Sequence, residues 1–294
     1  MKRTALLLLI PLSLVAGCRR GVPEDAELAA PVGPQRIIAL APSVAEVVHV
    51  LGLSDRVVGV GDYVTWPPEL AAKKRLGGLF NADFESIVAL RPDLAILLES
   101  EESLRSRLED VGVEVLTVPS DSLSDIEFAV GAIADRCGVK ERGEEVLRQW
   151  RLDLAPRPLP VPLRVAMVVG REPRRLGDMV VAGPSTFFDQ LLRRLGASNA
   201  FGDVGALYPQ VGIEEILRRR PDVVVEIQPL TVPQSRVAAL EKDWAGLADL
   251  AGGGPCIAIV DGPYVLVPGP RLPQVYAELR AALEACAGPQ PGAP

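Results

Sequence analysis

Short apolar runs alternate with segments whose apolar residues recur every three or four positions, from residue 36 almost to the end of the chain. RIIALAP (36–42), RVVGV (56–60), LAILL (94–98), VEVLTV (113–118) and LRVAMVV (163–169) read as strands buried on both faces. Between the first four stand SVAEVVHVLGL, PPELAAKK, ESIVALR and SLRSRLEDVG, each with a helical period. Ser43 is a candidate N-cap for the first of these helices and Gly52 its stop. Strands alternating with helices predict βαβ units and mainly parallel sheets. The stretch from Leu123 to Ala155 predicts helix in two pieces broken near Gly138, with 140–155 the longer, and the prolines of 156–162 end it. The pattern therefore predicts an α/β protein of two Rossmann-like lobes joined by a bridging helix. The N-terminal lobe covers 35–138, the bridge and its proline-rich exit 139–162, and the C-terminal lobe 163–287.

One phrase is written twice. FESIVALRPDLAIL starts at Phe84, and IEEILRRRPDVVVE starts at Ile213. Glu85 lies seven residues before Pro92, and Glu214 lies seven before Pro221. Copies 129 residues apart are too far separated for a solenoid and suit two similar domains. A looser echo joins APSVAEVVHVLGLSDRVV to AGPSTFFDQLLRRLGASNAF. A glutamate in a first helical turn complements the helix dipole. That role leaves the equal spacing to the proline unexplained.

The first residues depart from the α/β pattern. MKRTALLLLIPLSLVAGC has a basic start, a short apolar run and small residues before Cys18, the form of a secretory leader over 1–17. VAGC resembles the bacterial lipobox, which implies lipidation of Cys18. Residues 18–34 then read as a polar tether, and 288–294 as a disordered tail. Removing Lys2 and Arg3 with the leader leaves 29 basic against 38 acidic residues, a net charge of −9. Such a chain carries no electrostatic footprint for nucleic acid. Cys137, Cys256 and Cys286 remain, and they permit either one disulfide, Cys256–Cys286 among the pairings, or free buried thiols.

Chemistry for catalysis is sparse. The single histidine, His49, sits in an apolar helical pattern and reads as structural. With no second histidine there is no His₂ metal site and no cysteine–histidine pair, and neither a G-x-S-x-G nor a Walker A loop is present. The thirteen aromatics are more informative, because several follow predicted strands: Tyr63 and Trp66, Phe80, Tyr208 and Tyr264. In open α/β sheets ligands bind outside the carboxyl ends of strands. Aromatic loops from both halves predict a cleft for a large, flat, partly apolar ligand.

These segments together resemble the substrate-binding proteins of ABC importers for cobalamin, siderophores and haem. The likeness rests on RIIALAPSVAEVVHVLGLSDRVVGVGDYVTWPPE, LGGLFNADFESIVALRPDLAIL, YPQVGIEEILRRRPDVVVE and VPGPRL, and it runs from Arg36 to Ala287. It is strongest to the cobalamin branch. The resemblance implies two α/β lobes joined by a single long helix, with the ligand held between them. It implies a monomer that needs no cofactor or metal of its own and carries no catalytic residues. Pro42, Ser43, Tyr63, Trp66, Leu79, Phe80, Tyr208 and Tyr264 would line the cleft around a corrinoid. The alternatives are haem, for which Tyr63, Tyr208 and Tyr264 offer phenols, and a ferric siderophore, for which Arg271 offers a cation. Pro263 and Val267 stand where cobalamin-binding relatives often carry Asp and Arg. Glu85 and Glu214 would dock on arginines of a homodimeric permease with its ATPase subunits. The protein would work outside the cytoplasm, anchored to the membrane through Cys18. A lipid-anchored enzyme or scaffold on the same fold is the competing class.

Overall fold

The computed structural model describes residues 33–78, 81–244 and 254–288. Cys18 with its leader, all but the last two residues of the tether, Leu79, Phe80 and residues 289–294 lie outside the described residues.

The N-terminal sheet contains β1 (Ile37–Ala39), β2 (Val57–Val60), β3 (Lys74–Arg75), β4 (Leu94–Leu98) and β5 (Glu114–Val118). They lie in the order β3-β2-β1-β4-β5, and every pairing is parallel. Both faces are covered, which is why the strands read as unbroken apolar runs. Ile37, Ala39, Leu94 and Ile96 share one core with α1 (Pro42–Val50). Ile38, Ala95 and Leu97 face the other way, against Ile87 of α3 (Phe84–Ala89) and Leu104 and Leu108 of α4 (Glu102–Asp110). The short α2 (Pro68–Ala71) lies between β2 and β3. β3 is two exposed residues long, too short to leave a pattern in the sequence.

Beyond the bridge, β6 (Arg164–Gly170), β10 (Val223–Gln228) and β11 (Cys256–Asp261) form a parallel group in the order β11-β10-β6. β7 (Met179–Val181) returns antiparallel to β6, β9 (Gln210–Val211) pairs antiparallel with β7, and β8 (Ser198–Asn199) runs parallel beside the start of β6. One face packs on α7 (Phe187–Arg194) and on the last helix, Leu272–Ala287, numbered α10. The other packs on Ile216 of α8 (Ile213–Arg219) and on Trp244, which follows α9 (Gln234–Asp243). A disulfide joins Cys256 at the start of β11 to Cys286 near the end of α10, while Cys137 is a free, buried thiol.

The repeated phrase builds one device twice. After α3 and α8 the chain passes through Arg91 and Arg220 at φ 48° and 46°, the left-handed region that ends a helix. Proline follows and forces an extended backbone. The aspartate then clamps the neighbouring central strand. Asp93 accepts hydrogen bonds from the backbone N–H groups of Gln35 and Arg36, and Asp222 accepts one from that of Arg164. The two arginines answer symmetrically: Arg36 donates to the carbonyls of Leu90 and Arg91, and Arg164 to that of Arg219. The equal spacing of glutamate to proline is thus the length of one helix plus one turn, a requirement of strand placement in each lobe.

The bridge differs from the expected single long helix. α5 (Leu123–Arg136) and α6 (Lys140–Asp153) are both 14 residues long and form an αα-hairpin. Leu123 and Ile126 of α5 belong to the C-terminal core, and Ala129, Val130 and Ile133 to the N-terminal one. α6 makes the opposite journey, from Val146 and Leu147 to Trp150 and Leu154. Gly138, at φ 71°, turns the corner. Gly143 lets the helices close up, since a Cβ there would lie 2.5 Å from that of Ala134. Two crossings stiffen the connection more than one would.

Candidate ligand-binding site

The carboxyl ends of the N-terminal strands face the C-terminal lobe. The loop after β5 shows this directly: the Asp121 carbonyl accepts the Phe187 N–H, and the Leu123 N–H donates to Gln190 Oε1. The segment 268–273 of the C-terminal lobe meets the N-terminal lobe from the other side. Pro268 lies by Ser43, Val44 and Val47 of α1. Pro270 and Pro273 lie by Val50 and Trp150.

Tyr63 follows β2 and keeps 70 % of its surface exposed, its ring lying over Gly78, where a Cβ would stand 3.1 Å from Cε2. Tyr208, from the loop between β8 and β9, is 38 % exposed and has no hydrogen-bond partner among the described residues. Burial, with the Asp121 carboxylate adding to it, pushes the Tyr208 phenol up to about 12. Leu230, just past β10, is 72 % exposed.

Other expected cleft residues are already engaged. Ser43 is buried at the lobe seam and Pro42 half-buried beside it. The Tyr264 hydroxyl donates to Glu278 Oε1 at 2.5 Å, and its ring covers Gly262. Burial first, and the Glu278 hydrogen bond next, push this phenol too up to about 12. Arg271 is no free cation. Its Nη2 lies 2.5 Å from Oε1 of Glu46, a carboxylate in the middle of α1 that is 1 % exposed. The guanidinium also stands 4.6 Å from the Trp66 ring centre and 5.2 Å from that of Tyr264. Trp66 in turn meets His49 edge-on at 4.9 Å, and His49 Nδ1 lies 2.9 Å from Glu69. Burial pushes the Glu46 carboxyl up, and the Arg271 guanidinium pulls it back only in part. Sequence reasoning missed Glu46, although a charge inside the apolar stretch VAEVVHV was a signal that some partner must meet it.

A concavity lies at the ends of β6 and β10, beside α9. Its volume is about 520 Å³, and Gly170, Gln228, Leu230 and Arg236 line it. Its floor holds Arg171, which bonds both Glu226 oxygens and Asp243, while the Trp244 indole donates to Glu226. Among the described residues no group of three or more His, Cys, Asp or Glu side chains is placed to hold a metal ion. Nor is any helix there long and apolar enough to cross a membrane.

Glu85 and Glu214 are both exposed, and neither has a hydrogen-bond or ion-pair partner among the described residues. They are not equivalent. Asp83 already caps α3 by accepting the Ser86 N–H, which leaves Glu85 without a helix-end task. α8 has Gly212 as its N-cap, and Glu214 folds back so that its carboxylate would stand 2.7 Å from a Cβ there.

Known proteins resemble this chain in sequence and fold. The chain is 27 % identical to the uncharacterized ABC transporter substrate-binding lipoprotein YvrC of Bacillus subtilis, over 85 % of its own length and 80 % of the relative's. It is 24 % identical to a vitamin B12-binding protein of Pectobacterium atrosepticum, over 85 % and 91 %. Among solved structures, a periplasmic heme-binding protein from Pseudomonas aeruginosa superposes with a TM-score of 0.70 at 29 % identity, over 87 % of this chain and 95 % of that one. Residues 37–228, from the first central strand to the end of β10, match the model of the periplasmic binding proteins, and the chain belongs to that family.

Proposed function

We propose that this protein is the substrate-binding component of an ABC importer, that it captures a corrinoid between its lobes, and that it delivers this ligand to a membrane permease. One observation supports the ligand reading: Tyr63 of one lobe and Tyr208 of the other are both aromatic residues left exposed in loops. Flat rings with few charges suit a large macrocycle held mainly by apolar contact. The vitamin B12-binding relative supports the choice of corrinoid. The protein binds and releases without chemistry of its own, and it acts outside the cytoplasm, tethered by lipid on Cys18.

Haem is the second reading, favoured by the heme-binding structural neighbour and by the exposed phenols. Visible titration of the purified mature protein separates the two. A one-to-one spectral change with cyanocobalamin supports the corrinoid. No change with cyanocobalamin, together with a Soret shift on adding haemin, moves the protein to the haem branch. A response to a ferric siderophore alone would move it to the third. The anchor has its own test: Cys18→Ala should remove lipid attachment and stop processing at this site, and a variant that stays acylated and processed would end the lipoprotein reading.

A further inference from the structure

Glu46 and Arg271 stand 225 residues apart in sequence, one in each lobe. Each is a costly thing to bury. Glu46 is 1 % exposed, its Oε2 has no hydrogen-bond partner, and neither has Arg271 Nε. A buried ion pair with unsatisfied atoms gives little net stability, because desolvation offsets the attraction. What such a pair does supply is geometry: a charge on one body that is tolerated only while its counter-charge on the other stays in place. The surroundings match that role. The proline-flanked segment 268–273 lies between α1 and the bridging hairpin, and a Cβ on Gly269 would be 3.2 Å from Glu46 Oε2 and 3.7 Å from Ser43 Cα. The guanidinium then stands by two rings, Trp66 of the N-terminal lobe and Tyr264 of the C-terminal lobe.

We propose that Glu46 and Arg271 form an inter-lobe clasp which fixes the angle between the lobes and so positions Trp66 and Tyr264 as opposing walls of the cleft. They are positioning residues, and Arg271 is thereby removed from the set of ligand-contacting cations. The clasp is independent of any ligand; its effect on affinity rests on the function proposed above. Breaking it frees the lobes to sample other angles. If only about a tenth of molecules then hold the competent angle, apparent Kd rises about tenfold.

The test uses the mature protein with spin labels on Asp110→Cys and Glu241→Cys, exposed positions in opposite lobes, and reads the inter-label distance by electron–electron double resonance. Cys137 is buried, and the parent without added cysteines controls for it. Glu46→Gln keeps the shape and removes the charge. Glu46→Met with Arg271→Met removes both charges at similar volume, and so keeps the proposal testable should the single variant fail to fold. The parent should give one narrow distance, and the clasp variants a broadened or shifted one. Cyanocobalamin, with haemin as the second probe, should bind the clasp variants about tenfold more weakly. A folded double variant with the parent's distance distribution would overturn the clasp. A changed distribution with unchanged affinity would overturn its role in positioning the walls. If the parent binds neither probe, the ligand reading fails while the distance measurement still decides the clasp.

Discussion

Tyr208 and Tyr264 were equivalent in the sequence, two tyrosines after predicted strands. Tertiary packing separates them. The Tyr264 hydroxyl is committed to Glu278 and its ring lies against Gly262. Tyr208 keeps an open ring with no partner among the described residues. With 38 % of the residue's surface left to cover, a ligand over this ring contributes on the order of 0.6–1.1 kcal/mol, or roughly 3- to 6-fold in Kd. Tyr208→Ala should therefore weaken cyanocobalamin binding by that factor in the titration above while leaving the melting temperature near the parent's. A loss below threefold would place the ligand away from Tyr208. The position of the aromatic loops was readable in the sequence; that the Tyr264 hydroxyl is spent on the fold was not, because Glu278 is brought to it by a helix that packs only in three dimensions.

Among the elements, the two copies of the glutamate-to-aspartate phrase show how a short stretch encodes its own placement. Helix, left-handed arginine, proline and strand-clamping aspartate are local, so the pattern was visible before the structure. The bridge was less so. A periodicity can locate two helical pieces, but only Gly143 against Ala134, and the split of α5 between both cores, show that they run back to back. The cysteines were likewise undecided in the sequence, and the packing of α10 on β11 brings Cys256 and Cys286 together. Their bond closes a separation of 30 residues, for which loop-closure entropy gives about 3–4 kcal/mol. Cys256→Ser with Cys286→Ser should lower the melting temperature by roughly 10 °C. Calorimetry showing no change would mean that the helix is held by its apolar face alone.

At the scale of the whole molecule, Glu85 and Glu214 now rest on a different argument. Their common distance from proline belongs to the strand clamp, so it no longer speaks for docking. Exposure without a partner does, and more strongly for Glu85, whose helix is capped by Asp83. Two carboxylates on corresponding helices of two lobes suit a permease made of two like subunits, where paired charges set register and encounter rate. Glu85→Ala with Glu214→Ala should leave folding and cyanocobalamin affinity intact and abolish uptake into vesicles carrying the cognate permease. Normal uptake would reduce both glutamates to helix-end residues.

The linear chain determined what depends on neighbours in sequence. Apolar runs buried on both faces dictated parallel sheets. Helical periods and proline stops dictated where the elements lie, and strand-end aromatics indicated on which rim a ligand would sit. The tertiary structure decided what depends on residues far apart. It set Arg271 on Glu46, joined two cysteines, and left Tyr208 and Leu230 exposed while committing the Tyr264 hydroxyl to Glu278. The division has one physical cause. Hydrophobic period and backbone preference are properties of short segments. The partner of a buried charge or hydroxyl is chosen only when two lobes close around it and water is no longer there to take its place.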